Sequence, residues 1–216
     1  MLETEQFKET VLKICKLNKE LNPLVKQYYI PGGPNIFNCT NLKRLFTKLN
    51  ITNEDDIAEC ISGVIHEMSQ SQLNSLLGNS NLLISHNKIG LMKVEEILVN
   101  EMEKRNQLGR LKGLFLSDTL NGAAEFYIAN KYVNEFFKST NNVRDIVKLF
   151  LKINSINSSY DDKHFEKFYK ILTTKKDNTI TSIHGDLTCS MDKIKKFIKP
   201  EHQDQFNSIY LLLKLS

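Results

Sequence analysis

The chain has no tryptophan, and only four prolines and nine glycines among its 216 residues. A β-sandwich of this length draws on far more turn-forming residues, so the scarcity points to helices joined by short links. No uninterrupted apolar run approaches the roughly 18–20 residues that a membrane-crossing helix requires. The opening stretch, MLETEQFKET, is acidic where a secretory leader is basic and then apolar. No membrane insertion is therefore expected, and a cytoplasmic or nuclear location rather than a secreted one. Cysteine is sparse as well. Cys15, Cys39, Cys60 and Cys189 lie far apart without a C-x-x-C pair, which favours reduced, partly buried thiols over a disulfide framework. Glycosylation-type triplets at Asn38, Asn50 and Asn157 are read as chance in a chain so rich in asparagine.

What is present is an ordinary globular composition, 41% hydrophobic and 25% charged, with a mildly basic net charge of +4. That charge permits an anionic partner without requiring one. Length suits one large domain or two small ones, each able to bury a core. Apolar residues recur at helical spacing through most of the chain. Leu114 to Lys138 is the stretch around which the rest is expected to assemble. Ser117 or Asp118 is expected to cap a helix there, with Phe126, Ala129, Val133 and Phe136 on one apolar stripe and Leu120, Ala124, Ile128 and Tyr132 on the next. Two adjacent stripes cover most of a helix's circumference, as in a helix surrounded by others. The fold class expected is all-α: a compact multi-helix domain of about nine or ten helices around a buried central helix near residues 118–138.

Before that stretch, a helix from Thr4 to about Leu21 places Phe7, Val11, Ile14 and Leu21 inward and is stopped by Pro23. Pro31-Gly32-Gly33-Pro34 reads as a fixed bend and hinge. Asn38 to Leu49 turns Leu42, Leu45, Phe46 and Leu49 inward. Thr52 or Asn53 caps the next helix, whose first turn carries Glu54, Asp55 and Asp56, favoured by the helix dipole, and whose stripe is Ile57, Ile61, Val64 and Met68. Ser69 to Leu77 adds a turn or two, stopped by Gly78. Leu82-Leu83-Ile84 reads as a brief extended piece. A long amphipathic helix over 90–107 buries Leu91, Val94, Leu98 and Met102, and Leu108 to Gly113 follows as a loose basic connection. Beyond Lys138, helices are expected over 143–153, after a Ser159 cap through Leu172 (burying Phe165, Phe168, Tyr169 and Leu172), over 191–198 and over 201–213, with Pro200 at the start of the last. This organisation suggests an N-terminal helix and arm (1–30) and a main helical domain (35–216), the latter divisible into lobes near 35–113 and 114–216. No repeat of 30–45 residues is visible.

Few residues suggest chemistry. Ile183-His184-Gly185-Asp186-Leu187-Thr188 resembles the catalytic loop of the aminoglycoside and choline kinase family. The resemblance implies an Asp186 that serves as base for an accepting hydroxyl, in a phosphotransferase-like enzyme. The family's magnesium-holding Asn falls at Met191 here, and a thioether is a poor magnesium ligand. His66-Glu67 opens like a zinc-protease helix, but Gln70 stands where the second His belongs. His86, His164 and His202 are isolated from cysteines and from one another. No phosphate-cradling glycine motif occurs. No metal and no cofactor are expected.

Basic residues gather in three places: Lys43, Arg44 and Lys48; Lys104, Arg105, Arg110 and Lys112; and Lys193, Lys195 and Lys196. If folding joins two of these in one groove, they attract nucleic-acid phosphates, as in two-lobed helical nucleoproteins. The favoured expectation is a non-catalytic helical protein that works through macromolecular contact, as an adaptor, assembly subunit or viral-type host-factor antagonist, with a protein partner or its own copies forming an oligomer. A nucleocapsid-like protein binding RNA or DNA is the alternative, and the phosphotransferase-like enzyme comes third.

Overall fold

The computed structural model describes residues 2–28, 36–84, 90–156, 160–174 and 184–215, with the side chains of all of these except 18–28, 184–188 and 212–215. Among the described residues there are eleven α-helices and no strand. The chain divides into two units, Met1–Tyr127 and Ile128–Ser216.

The first unit holds α1 (Leu2–Tyr28), α2 (Cys39–Lys48), α3 (Glu54–Val64), α4 (Gln70–Leu76), α5 (Met92–Lys104), α6 (Leu108–Leu116) and the first turns of α7 (Gly122–Ser139). Helix α3 packs against both α1 and α5. Its stripe of Ile57, Ile61 and Val64 is buried, as the periodicity requires. The local chemistry explains the helix starts. Asn38 and Asn53 accept the third backbone N–H of α2 and α3, and Ser69 forms a reciprocal capping box with Gln72 at α4. Phe7 of α1 stacks on Phe46 of α2 at 4.9 Å between ring centroids.

The second unit contains the rest of α7, then α8 (Val143–Ser155), α9 (Asp162–Thr174), α10 (His184–Lys195) and α11 (Gln203–Leu215). Helix α8 packs on α9 and α10, and α11 packs on the same two. Phe150 of α8 is at the centre of an aromatic core. It stacks on Phe168 at 4.5 Å, lies 4.7 Å from Tyr160, and meets Phe137 edge-on at 82°. Edge-to-face and offset arrangements of this kind add stabilisation beyond the area they bury.

Several expectations are corrected. Helix α1 does not stop at Pro23 but continues to Tyr28; a proline removes one backbone donor, which a long helix survives. Leu108 to Gly113 is no loose connection but the start of α6, because Leu111 and Phe115 are fully buried one turn apart and packing outweighs two glycines. The central helix is interrupted at Ser117–Asn121 and restarts at Gly122. Its cap is neither Ser117 nor Asp118 but Asn121, whose Oδ1 accepts the Ala124 N–H at 2.9 Å. Helix α7 buries Ala124, Ile128, Ala129, Tyr132, Phe136 and Phe137, yet Phe126 is 51% exposed beside exposed Asn130, Asn134 and Lys138. It therefore presents one open face and is not encircled. Leu82 belongs to a 3-10 turn, Ser80–Leu82, not to an extended piece. Helix α10 starts at His184, earlier than expected, and Pro200 opens a 3-10 turn before α11. The Pro31–Pro34 hinge and the Ser159 cap lie outside the described residues.

Candidate functional site

Among the described residues each unit offers a concavity suited to binding. In the first unit a groove of about 410 Å³ is lined by Ile14 of α1, Ile36, and Asn41, Arg44, Leu45 and Lys48 of α2. The Phe7–Phe46 stack anchors α1 against α2. Ile14 follows Phe7 two turns along the same face, and Leu45 adjoins Phe46. Ile14 and Leu45 were expected inward by their spacing, but each is only half-buried, as is Ile36, and together the three make an apolar floor. Arg44 and Lys48, four residues apart and both exposed, line the same groove. Two of the three basic residues in the first predicted cluster are thus brought beside an apolar surface. Lys43, also on α2, is half-buried.

In the second unit a cleft of about 550 Å³ opens between the C-terminal half of α7 and the start of α9. Its wall is built around His164, which is 7% exposed. His164 and Asp161 cap one another. The Asp161 Oδ1 accepts the His164 backbone N–H at 2.8 Å, and the His164 Nδ1 accepts the Asp161 backbone N–H at 3.2 Å. With Nδ1 an acceptor, the ring proton sits on Nε2, which donates to Asn134 Oδ1 at 2.8 Å. Phe137 stacks on the same ring at 4.1 Å between centroids. Burial holds the imidazole below its usual range, against the opposing pull of Asp161. The 3.3 Å approach of Asp161 Oδ1 to Nδ1 is accordingly a by-product of the mutual cap with a neutral imidazole and not an ion pair.

Other buried polar groups have structural partners. Glu95, fully buried, receives Asn121 Nδ2–H at 2.7 Å and the Gly78 N–H at 3.2 Å. Ser80 Oγ in the same knot accepts the Leu91 N–H at 2.8 Å. Burial pushes the Glu95 carboxyl above its ordinary value in spite of these donors. The Tyr160 hydroxyl accepts the Lys199 N–H at 2.7 Å and lies 3.2 Å from His202 Nδ1, whose ring stacks on Phe165. The Cys60 thiol is pushed up to about 12, by burial first and then by Glu59 and Asp56, so it remains protonated and a poor nucleophile.

The remaining predicted basic residues meet different fates. Arg105 has a structural role: its guanidinium donates to the carbonyls of Met68 and Ile65 at 2.7 and 3.1 Å and to Glu101 Oε1 at 2.7 Å. Lys104 closes α5, and Arg110 and Lys112 are on α6. Lys193, Lys195 and Lys196 are exposed at the end of α10, and the Lys195 ammonium lies 5.6 Å from the Tyr210 ring centroid. His184, Gly185 and Asp186 form the first turn of α10, a helical backbone where the kinase resemblance implied a loop. Among the described residues no three His, Cys, Asp or Glu side chains gather as metal ligands, and no helix is long and apolar enough to cross a membrane.

Sequence reasoning left Glu95 unremarked and noted His164 only as an isolated histidine, although each carried a signal of burial. Glu95 falls on the Leu91, Leu98, Met102 stripe, and His164 stands four residues before the buried Phe168. No protein-family model matches the chain, and no curated protein or solved structure does either.

Proposed function

We propose that this chain is a non-catalytic contact protein whose α1–α2 groove receives an amphipathic helix of a protein partner, one with carboxylates flanking its apolar face. The observation that carries this reading is the groove's composition: an apolar floor of Ile14, Ile36 and Leu45 bordered by Arg44 and Lys48. A helix laid in such a groove buries residues at i, i+3, i+4 and i+7. The cations select for acidic flanks and raise the association rate more than the final affinity.

Fluorescence anisotropy with two synthetic helices tests it, one with leucines at those spacings and glutamate flanks, the other with lysine flanks. The glutamate peptide is expected to bind and the lysine peptide not, with the preference reversed in the Arg44→Glu, Lys48→Glu double variant. Leu45→Asp, checked for retained helicity, removes binding of both. Absence of binding by either peptide, or binding indifferent to Leu45→Asp, overturns the reading.

The second reading, nucleic-acid binding, is favoured by the exposed Lys193, Lys195 and Lys196, of which Lys195 lies over the Tyr210 ring, a combination of charge and aromatic surface suited to single strands. Its test is retention of a labelled oligonucleotide that falls with salt and is lost when these three lysines become glutamate.

A further inference from the structure

We infer that the α7–α9 cleft of the second unit seats the phosphate group of a small phosphorylated ligand. The cleft's volume of about 550 Å³ falls within the roughly 300–1,000 Å³ typical of small-molecule sites. It exceeds what a bare phosphate fills, leaving space for an organic remainder.

Its charge is arranged from two sides. On α9, Lys163 and Lys167 are four residues apart, hence neighbours on one helix face, and both line the cleft. On α7, Lys138 follows Asn134 by the same interval, and both line the opposite wall. Lys167 Nζ also donates to Asn141 Oδ1 at 3.1 Å, and because like charges one turn apart repel, an anion between these ammonium groups offsets that repulsion. Lysine binds phosphate as a compact point charge with three donors. The lining carboxylates, Glu135 and Asp161, offset part of this field, but three ammonium groups against two carboxylates leave the lining net positive. The first turn of α9 adds the positive end of its dipole on the same side.

The wall behind these cations is rigid. His164 is held at both ring nitrogens and stacked on Phe137, and it ties Asn134 of α7 to α9. That bridge sets the separation of the Lys138 side from the Lys163 and Lys167 side, and such preorganisation lowers the entropy lost on binding. A neutral imidazole, with its one N–H taken by Asn134, serves as a spacer and leaves anion binding to the lysines.

The experiment is a titration of the whole chain with inorganic phosphate and pyrophosphate, followed by NMR of backbone amides and the His164 ring. Saturable shifts confined to residues of the α7 C-terminal half and α9 are expected, with pyrophosphate tighter than phosphate. In the Lys163→Ala, Lys167→Ala variant, affinity for pyrophosphate falls at least about tenfold, since each charge-assisted hydrogen bond contributes roughly 1.5–3 kcal/mol. The Lys193→Ala, Lys195→Ala variant removes the same charge from residues that do not line the cleft and leaves affinity within about twofold, because exposed charges without direct contact are weakened by salt screening. Lys163, Lys193 and Lys195 are exposed and Lys167 is half-buried, and circular dichroism verifies that both variants keep the fold. No saturable shift, an equal loss in both variants, or tighter binding of a short single-stranded DNA at the same residues overturns the inference, the last in favour of a nucleic-acid surface.

Discussion

Half-buried Asn121 reaches the fully buried Glu95 in the first unit, its Nδ2–H donating to Glu95 Oε1 at 2.7 Å. The same asparagine turns its Oδ1 to the Ala124 N–H and so starts α7. One side chain therefore begins a helix and satisfies a buried acid on another. Asn121→Ala removes the cap, worth about 1 kcal/mol, and strips a donor from a buried carboxyl, worth roughly 1–3 kcal/mol more. Urea unfolding is expected to show a loss of about 2–4 kcal/mol; a change below about 0.5 kcal/mol, the range of inert surface substitutions, would remove the knot from the account.

The pH dependence of this knot has a definite sign. Burial raises the Glu95 carboxyl above its ordinary value of 4.5. Between that value and the folded one, the folded chain holds more protons than the unfolded chain. The Glu95 contribution is therefore fully present below pH 4.5 and is lost as pH rises through the folded value. Subtracting the stability of Glu95→Gln from that of the natural chain, pH by pH, isolates this contribution. A difference that grows with rising pH contradicts the assignment.

Two pairs of glycines should respond oppositely to alanine. Gly78 has φ +82°, and a Cβ there would stand 2.9 Å from the Leu120 Cα; Gly90 has φ +107°, with the Asn121 side chain 2.6 Å from the added atom. Either replacement strains the backbone and presses on the Asn121–Glu95 knot, costing on the order of 1–3 kcal/mol. Gly109 and Gly113 are in α6 with open space where a Cβ would go. Alanine there stabilises by roughly 0.5–1 kcal/mol. Thermal melts of the four single variants decide the matter.

Arg105 is a clamp before it is a charge. Its fork reaches two carbonyls, Ile65 and Met68, and one carboxylate, Glu101. An ammonium group has neither the planar shape nor the spread to meet all three. Arg105→Lys is expected to lose about 1–2 kcal/mol in chemical denaturation despite keeping the charge, and Arg105→Ala more. A lysine variant as stable as the natural chain would show that only the charge matters at this position.

His164 gives the opposite pH trend to Glu95. Its imidazole is held below the ordinary value of 6.5, so below that pH the unfolded chain takes up a proton that the folded chain refuses. Stability is complete above pH 6.5 and falls with acidification until the folded value is passed. His164→Gln keeps an acceptor at the position from which a capping box reaches back, and removes the titration. Its stability should be flatter than the natural chain's as pH falls below neutral, and an unchanged slope would assign the effect to another group.

Most of the helices were legible in the residues because their periodicity and caps are local. Asn38 and Asn53 accept N–H groups three residues on, as Ser69 does while Gln72 reaches three residues back to the Ser69 N–H, and neither arrangement depends on distant chain. Leu108 to Gly113 misled because its glycines count against a helix by propensity, whereas the buried Leu111 and Phe115 hold it in place. Asn121 misled for the reverse reason. Ser117 and Asp118 are equally good caps by type, and the partner that favours Asn121 is Glu95, 26 residues earlier.

From its sequence alone the chain is bound to be helical: apolar residues recur with a helical period, and capping residues mark where most helices start. What only the tertiary structure decided is which polar side chains serve the fold and which face a cavity. Arg105, just past the end of α5, and Arg44, within α2, are the same residue type, yet one clamps carbonyls about 40 residues away and the other lines an open groove. Lys163, Lys167 and Lys138 come from two helices with a third between them, and they share a cleft because His164 joins Asn134. Period and propensity act over a few residues, but burial and charge act through space, and only the folded path of the chain fixes those distances.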